Sequence, residues 1–185
     1  MTQPQRCPWA TSAPDYLVYH DEEWGVALHG DDALFERLCL EAFQSGLSWI
    51  TILRKRFAFR TAFAEFRITE VAGFDENDVD RLMNDAGIVR NRLKIRAAIA
   101  NAKAAADLPA GLDHLLWSFA PEPGSHRRPA TAAEVPVTSP ESTAMAKELK
   151  RQGFSFVGPT TAYALMQATG MVDDHLTGCW RAGGR

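Results

Sequence analysis

The sequence predicts an all-helical fold, and three observations carry that prediction. No segment alternates apolar and polar residues with the period of two that a half-buried strand needs. Apolar residues recur instead at three- and four-residue spacings along most of the 185 positions. The segments marked in this way begin and end on helix-capping residues. Ser12-Ala-Pro-Asp15 opens the first helix, with proline in its first turn. Asp31 to Gln44 carries Leu34, Leu38 and Phe43 and stops at Gly46. Ser48 to Phe66 carries Ile50, Leu53, Phe57 and Phe63. Asp78 to Asp85 and Asn91 to Ala106 follow, separated by Gly87-Ile-Val-Arg90, and then the short Leu112 to Phe119. Residues 120–138, rich in proline and small polar residues, read as a loop. Ser139-Pro140-Glu141 starts a helix to Gln152 with Gly153 as its cap, and Thr160 to Thr169 is the last long one. No repeat or low-complexity tract is seen.

Length and composition fit one domain over residues 1–185 with room for a core. The 46% hydrophobic and 23% charged fractions are those of an ordinary soluble globule. No apolar stretch nears the 18 or so residues of a membrane span. The opening MTQPQRCPW has no apolar signal core. Three distant cysteines make no disulfide framework, and Cys39 in LCLEAF reads as a buried thiol. These features fit a cytoplasmic protein without a membrane partner.

Net charge is -3, but it is unevenly spread. Arg54, Lys55, Arg56 and Arg60 form one basic block, and residues 81–103 hold six basic side chains against Asp85 alone. Clusters of this kind grip a phosphate backbone even on an acidic protein. Solvated helix faces would look the same.

Cys7, His20, His175 and Cys179 are four borderline-soft ligands, the set used by a closed tetrahedral zinc site. Such a site would be structural, because four protein ligands leave no position for a reactive water. On spacing alone, two unrelated buried cysteines and two histidines satisfied elsewhere are the commoner reading, since these separations are not a finger pattern.

Two segments look like DNA-binding parts. Gly153-Phe-Ser-Phe-Val-Gly-Pro-Thr-Thr-Ala162 joins two helices through a tight turn, and the second helix offers free backbone N–H groups just after a glycine. This resembles the turn of helix-hairpin-helix proteins. Ala86-Gly-Ile-Val-Arg-Asn-Arg-Leu-Lys-Ile95 resembles the G-x-x-R-N-x-x-K stretch of endonuclease III-type glycosylases. A pocket is signalled in the N-terminal third. Trp9, Trp24, Trp49, Tyr16 and Tyr19 all fall within the first 49 residues. Glu41 lies on the Leu34–Leu38 face of its helix, where a solvent-facing carboxylate is not expected. An acid among aromatics suits a flat, cationic or amine-bearing ring. A core with one satisfied buried acid would give the same pattern.

The pattern as a whole resembles the 3-methyladenine DNA glycosylase I family. Arg6-Cys-Pro-Trp9, Tyr19-His-Asp-Glu-Glu-Trp-Gly-Val26, Leu40-Glu-Ala-Phe-Gln-Ser-Gly-Leu-Ser-Trp49, Asp85-Ala-Gly-Ile88, Trp117-Ser-Phe119 and Phe154 through Cys179 carry the resemblance over nearly the whole chain. The resemblance implies a helix-hairpin-helix glycosylase fold, with a structural zinc on Cys7, His20, His175 and Cys179 tying the two ends together. It implies a base pocket mainly from residues 1–60, made by Tyr16, Tyr19, Trp24, Glu41 and Trp49. DNA contacts come mainly from residues 81–170: Arg90, Arg92 and Lys94, and the hairpin residues Phe156, Val157, Gly158, Thr160 and Thr161. Gly46 and Leu47 would fill the gap left by a flipped nucleotide. The implied activity is base excision repair by a monomer. A 3-methyladenine is flipped out of double-stranded DNA, its N-glycosidic bond is hydrolysed, and free 3-methyladenine is released. Glu41 is the catalytic candidate, and Asp173 is secondary because Asp173-Asp-His175 has the form of the aspartate used by related enzymes. The alternative is a non-catalytic, zinc-stabilised helix-hairpin-helix module that binds DNA structure. It gives Glu41 no task. A zinc-stabilised interaction scaffold is a third reading.

Overall fold

The computed structural model describes residues 4–183, and among these every regular element is helical. The α-helices are α1 (Pro14–Glu22), α2 (Asp31–Gln44), α3 (Trp49–Ala62), α4 (Ile68–Ala72), α5 (Glu76–Asn84), α6 (Arg92–Ala106), α7 (Gly111–Trp117), α8 (Pro140–Arg151) and α9 (Pro159–Ala168). Helix α2 is the axis of the packing, in contact with α3, α6, α7 and α9. Its Leu34, Phe35, Leu38, Leu40 and Phe43 are fully buried, and one apolar cluster runs from Leu34 to Val172. Helices α8 and α9 pack on each other, and α4 packs on α6.

Three local features decide where elements end. Asp75 caps α5 through a reciprocal box with Asp78, so that helix starts two residues before the expected Asp78. Ser139 caps α8 in the same way through Ser142. The helix expected from Ser48 to Phe66 stops at Ala62. Ala64, Glu65 and Phe66 all take left-handed backbone, with φ of 52°, 56° and 53°. Such backbone costs roughly 1–2 kcal/mol per residue. It is offset by the burial of Phe63 and Phe66, whose rings stack at 5.4 Å with the planes 3° apart. The reversal leads into α4, a five-residue helix too short to show a period in the sequence.

The chain between α1 and α2 is pinned to the end of α9. Gly25 N–H donates to the Gln167 carbonyl at 3.1 Å, and Leu28 N–H to that of Thr169 at 3.1 Å. Gly170 has φ +73°, and a Cβ there would sit 2.7 Å from Ala27 N and from the Val26 carbonyl carbon. Gly170→Ala is therefore expected to lose about 3 kcal/mol through left-handed strain and backbone overlap together. A thermal melt should show Tm lower by roughly 10 °C. An unchanged Tm would mean that this junction yields.

Candidate active site and metal centre

The end of α1 and the start of α3 face each other across a cleft of ≈ 440 Å3. Tyr16, Tyr19, Trp24, Glu41 and Trp49, the five residues expected to meet a base, all line it, together with Trp9. The rings of the aromatic wall meet edge to face around Trp9 and tilted between Tyr19 and Trp49. Trp9 lies 5.6 Å from Tyr16 and 5.1 Å from Trp24, and Tyr19 lies 5.5 Å from Trp49. Tyr16 is fixed because its hydroxyl accepts the first-turn N–H of Ile50 in α3 at 2.9 Å. The Trp49 indole N–H is buried with no partner among the described residues, a donor available to a bound ring.

Glu41 is 6% exposed and stands on α2 at the cleft floor. Burial pushes its carboxyl up from 4.5 to about 7, and the charge of Arg37 pulls the other way. Arg37, one helical turn earlier, is also buried. Its guanidinium reaches the Tyr19 hydroxyl at 3.4 Å and Glu23 at 3.3 Å. Glu23 is bound again by Arg56, at 2.5 and 2.8 Å. A cationic frame thus lies behind Tyr19, and Glu41 is an acid that faces the cleft.

A second centre abuts the first. The ligand atoms of Cys7, His20 and Cys179 lie within 4.8 Å of one another, and all three residues are buried. Cys179 Sγ is 3.4 Å from His20 Nε2. His175 falls outside that trio, but its ring centre is 4.9 Å from that of His20 and its Nε2 is buried without a partner among the described residues. Each imidazole is oriented by a carboxylate at its other nitrogen. His20 Nδ1 is 2.8 Å from Asp21, and His175 Nδ1 is 2.8 Å from Asp173. With the protons on Nδ1, both Nε2 lone pairs are left for a cation, the arrangement that orients metal-bound histidines. Hydrogen bonds from Arg6 hold Asp21 down at about 2. Against the cost of burial, those from His175 and Arg128 keep Asp173 well below the ordinary range. Burial pushes the Cys7 thiol up to about 11 and lowers His20. Two buried thiols and an orphaned imidazole fit a borderline-soft dication such as zinc.

The remaining expected residues divide. Gly46 and Leu47 are exposed at the α2–α3 turn, and Arg90 is exposed before α6. Arg92 is exposed but bonded to Asp80 at 2.8 Å. In the turn between α8 and α9, Phe156 (φ +59°), Gly158 and Thr160 are exposed, Thr161 is half-buried and Val157 is buried. Two expectations are corrected. Lys94 does not face solvent: it is 8% exposed, and its ammonium is bonded to the backbone carbonyls of Phe43 and Ser45. Asp173 does not line the cleft; its carboxylate is taken by His175 and Arg128. Of this adjacent pair it is Asp174 that lines the cleft; it is 2% exposed, accepts from Tyr163 and Gln167, each at 2.8 Å, and pairs with His126 at 2.7 Å. Three further features were missed. Asn101 holds both backbone groups of Ser155. Ala132 and Val135 of the loop add to the cleft wall. The basic block on α3 is spent internally, with Arg54 on Asp15, Arg56 on Glu23 and Arg60 on Glu36. No local signal marks any of these in the sequence.

Among known proteins, residues 9–182 match the family model described as Methyladenine glycosylase. DNA-3-methyladenine glycosylase 1 of Escherichia coli K12 is 44% identical over 178 residues, which are 95% of each chain. A crystal structure of a 3-methyladenine DNA glycosylase I superposes with a TM-score of 0.91 at 44% identity, covering 95% of this chain and 98% of that one. A Staphylococcus aureus structure that addresses 3-methyladenine recognition superposes at 0.89 with 35% identity, covering 95% of each.

Proposed function

This chain belongs to the methyladenine glycosylase family, and from that membership we propose that it excises 3-methyladenine from alkylated double-stranded DNA by hydrolysis. The observation that carries the reading is Glu41, a buried acid aimed into an aromatic cleft of base-binding size. Its relatives are 3-methyladenine glycosylases by description. Methylation at N3 makes adenine cationic, so the glycosidic bond is already weakened and the base leaves neutral. No strong general acid is then needed. The rings of Tyr16, Tyr19, Trp24 and Trp49 stack on the base, and the Glu41 carboxylate selects its charge and amino edge. Ordinary adenine offers neither the charge nor the labile bond. Gly46 and Leu47 enter the gap in the duplex, the turn at Phe156–Thr161 holds a phosphate on its backbone amides, and Arg90 and Arg92 lie along the backbone. The chain works as one domain and as a cytoplasmic monomer. One zinc, held by Cys7, His20, His175 and Cys179, supplies structural stability. Release of 3-methyladenine from methylated duplex by the purified protein tests this directly. A protein that binds DNA but frees no base would refute it.

The strand is left uncut. Strand-cleaving relatives carry a lysine after the hairpin glycine, and Pro159-Thr160 stand where the arginine and lysine of that motif would be. A threonine hydroxyl forms no imine, so water attacks the sugar. Borohydride added during turnover on alkylated duplex is expected to trap no protein–DNA adduct. A trapped adduct would overturn the monofunctional assignment.

A further inference from the structure

Lys94 is a buried cation whose partners are two backbone carbonyls from another element. Its Nζ lies 2.8 Å from Phe43 O and 2.5 Å from Ser45 O, 51 and 49 residues away in the chain. The last carbonyls of a helix have no partner within it and carry its negative end, so an ammonium there is well placed. Those carbonyls close α2 immediately before the turn that presents Leu47. Gly46 turns the chain at φ +79°, Leu47 N–H donates to Gln44 O at 2.6 Å, and the Leu47 side chain is left 42% exposed. Seven residues further along α6, Asn101 grips Ser155 at both its N–H and its C=O, at 2.8 and 3.0 Å. Ser155 stands just before the α8–α9 turn. One helix therefore holds both protruding turns, from anchors about 10 Å apart along its axis. Burial lowers the Lys94 ammonium, but its two acceptors favour the protonated form.

We propose that Lys94 is a positioning residue for base flipping. It locks the Gln44–Leu47 turn to α6, so that Leu47 meets the duplex at a fixed distance from the phosphate-holding turn that Asn101 secures. The inference rests on the reading of Gly46–Leu47 as the element that fills the gap in DNA. It assigns Lys94 no contact with DNA, base or water.

The test compares Lys94→Met, Leu47→Ala and the double variant. Single-turnover excision of 3-methyladenine is measured on duplex and on single-stranded methylated DNA. Free 3-methyladenine binding is followed by tryptophan fluorescence. Lys94→Met is expected to slow duplex excision by about tenfold, the loss typical of one charge-assisted hydrogen bond. Single-strand excision and free-base binding should stay within about twofold. The double variant should be no slower on duplex than the slower single one, because both act through one element. Parallel losses on duplex and single strand, or effects that multiply, would overturn the proposal. So would a slow Leu47→Ala beside a normal Lys94→Met. A normal Leu47→Ala would instead remove the wedge reading on which the proposal rests. Should the methionine variant fail to fold, Lys94→Gln, which keeps N–H donors, is measured in the same three assays and judged by the same ratio of duplex to single-strand rate.

Discussion

From the zinc proposed above, treatment with a strong chelator is expected to collapse fold and activity together. The binding free energy of a structural zinc is folding free energy, on the order of 10 kcal/mol. A domain of this size has a total stability of roughly 5–15 kcal/mol. Without a cation the centre would bring together two buried thiols, with Cys7 pushed up to about 11, and a His175 Nε2 with no partner. The damage would not stay local. Cys7 and Leu176 also line the cleft, and Trp24 packs 4.7 Å from the His175 ring. Elemental analysis should find one zinc per chain, and Cys179→Ala should melt well below the parent protein. Active protein with no stoichiometric metal would refute the zinc assignment, as would a Cys179→Ala variant of undiminished stability.

Glu41→Gln is expected to make the protein more stable at alkaline pH while making it a poor enzyme. The folded-state carboxyl is raised from 4.5 to about 7, chiefly by burial. A raised carboxyl contributes stability that is fully present below the unfolded value of 4.5. That contribution is lost as pH climbs through about 7, because the buried group must then ionise. Between those two values the loss amounts to about 3 kcal/mol. The neutral amide escapes it. Thermal melts should therefore show the variant and the parent alike near pH 4 and the variant ahead at pH 8. Excision runs the other way. In the role proposed for Glu41 the anion selects a cationic base, so parent activity is expected to rise with pH through about 7. The variant should lose roughly tenfold to a hundredfold and show no such rise. A variant less stable than the parent at pH 8 would mean that Glu41 is paired rather than strained.

How much of this was legible in the sequence depended on the range of the interactions involved. Helix α2 was read to its ends, Asp31 and Gln44, because its apolar period and its breaker are local. Helix α8 was equally plain from Ser139-Pro140. The reversal at Ala64–Phe66 was invisible, since nothing in that stretch calls for left-handed backbone. Two phenylalanines seeking one core impose it. The aromatic cleft was legible because its members crowd into one third of the chain and Glu41 breaks an apolar face. Charge was misread for the opposite reason. Arg54, Arg56 and Arg60 meet acids 39, 33 and 24 residues away, distances at which sequence adjacency says nothing. Asp173 and Asp174 part by one step of backbone direction, which sends one carboxylate to His175 and the other to Tyr163 and the cleft.

Segments far apart in sequence meet here: Trp180 N–H donates to Gln5 O at 2.8 Å, and Leu176 N–H lies 3.4 Å from Cys7 Sγ. Synthesis is vectorial, so Cys7 and His20 leave the ribosome long before Cys179 exists. At roughly 5–20 residues per second, the wait is on the order of ten to thirty seconds. Throughout that interval the aromatic wall has no back to close against. A nascent chain that stops short of Asp174 therefore lacks the part of the cleft wall that Asp174 and Leu176 supply.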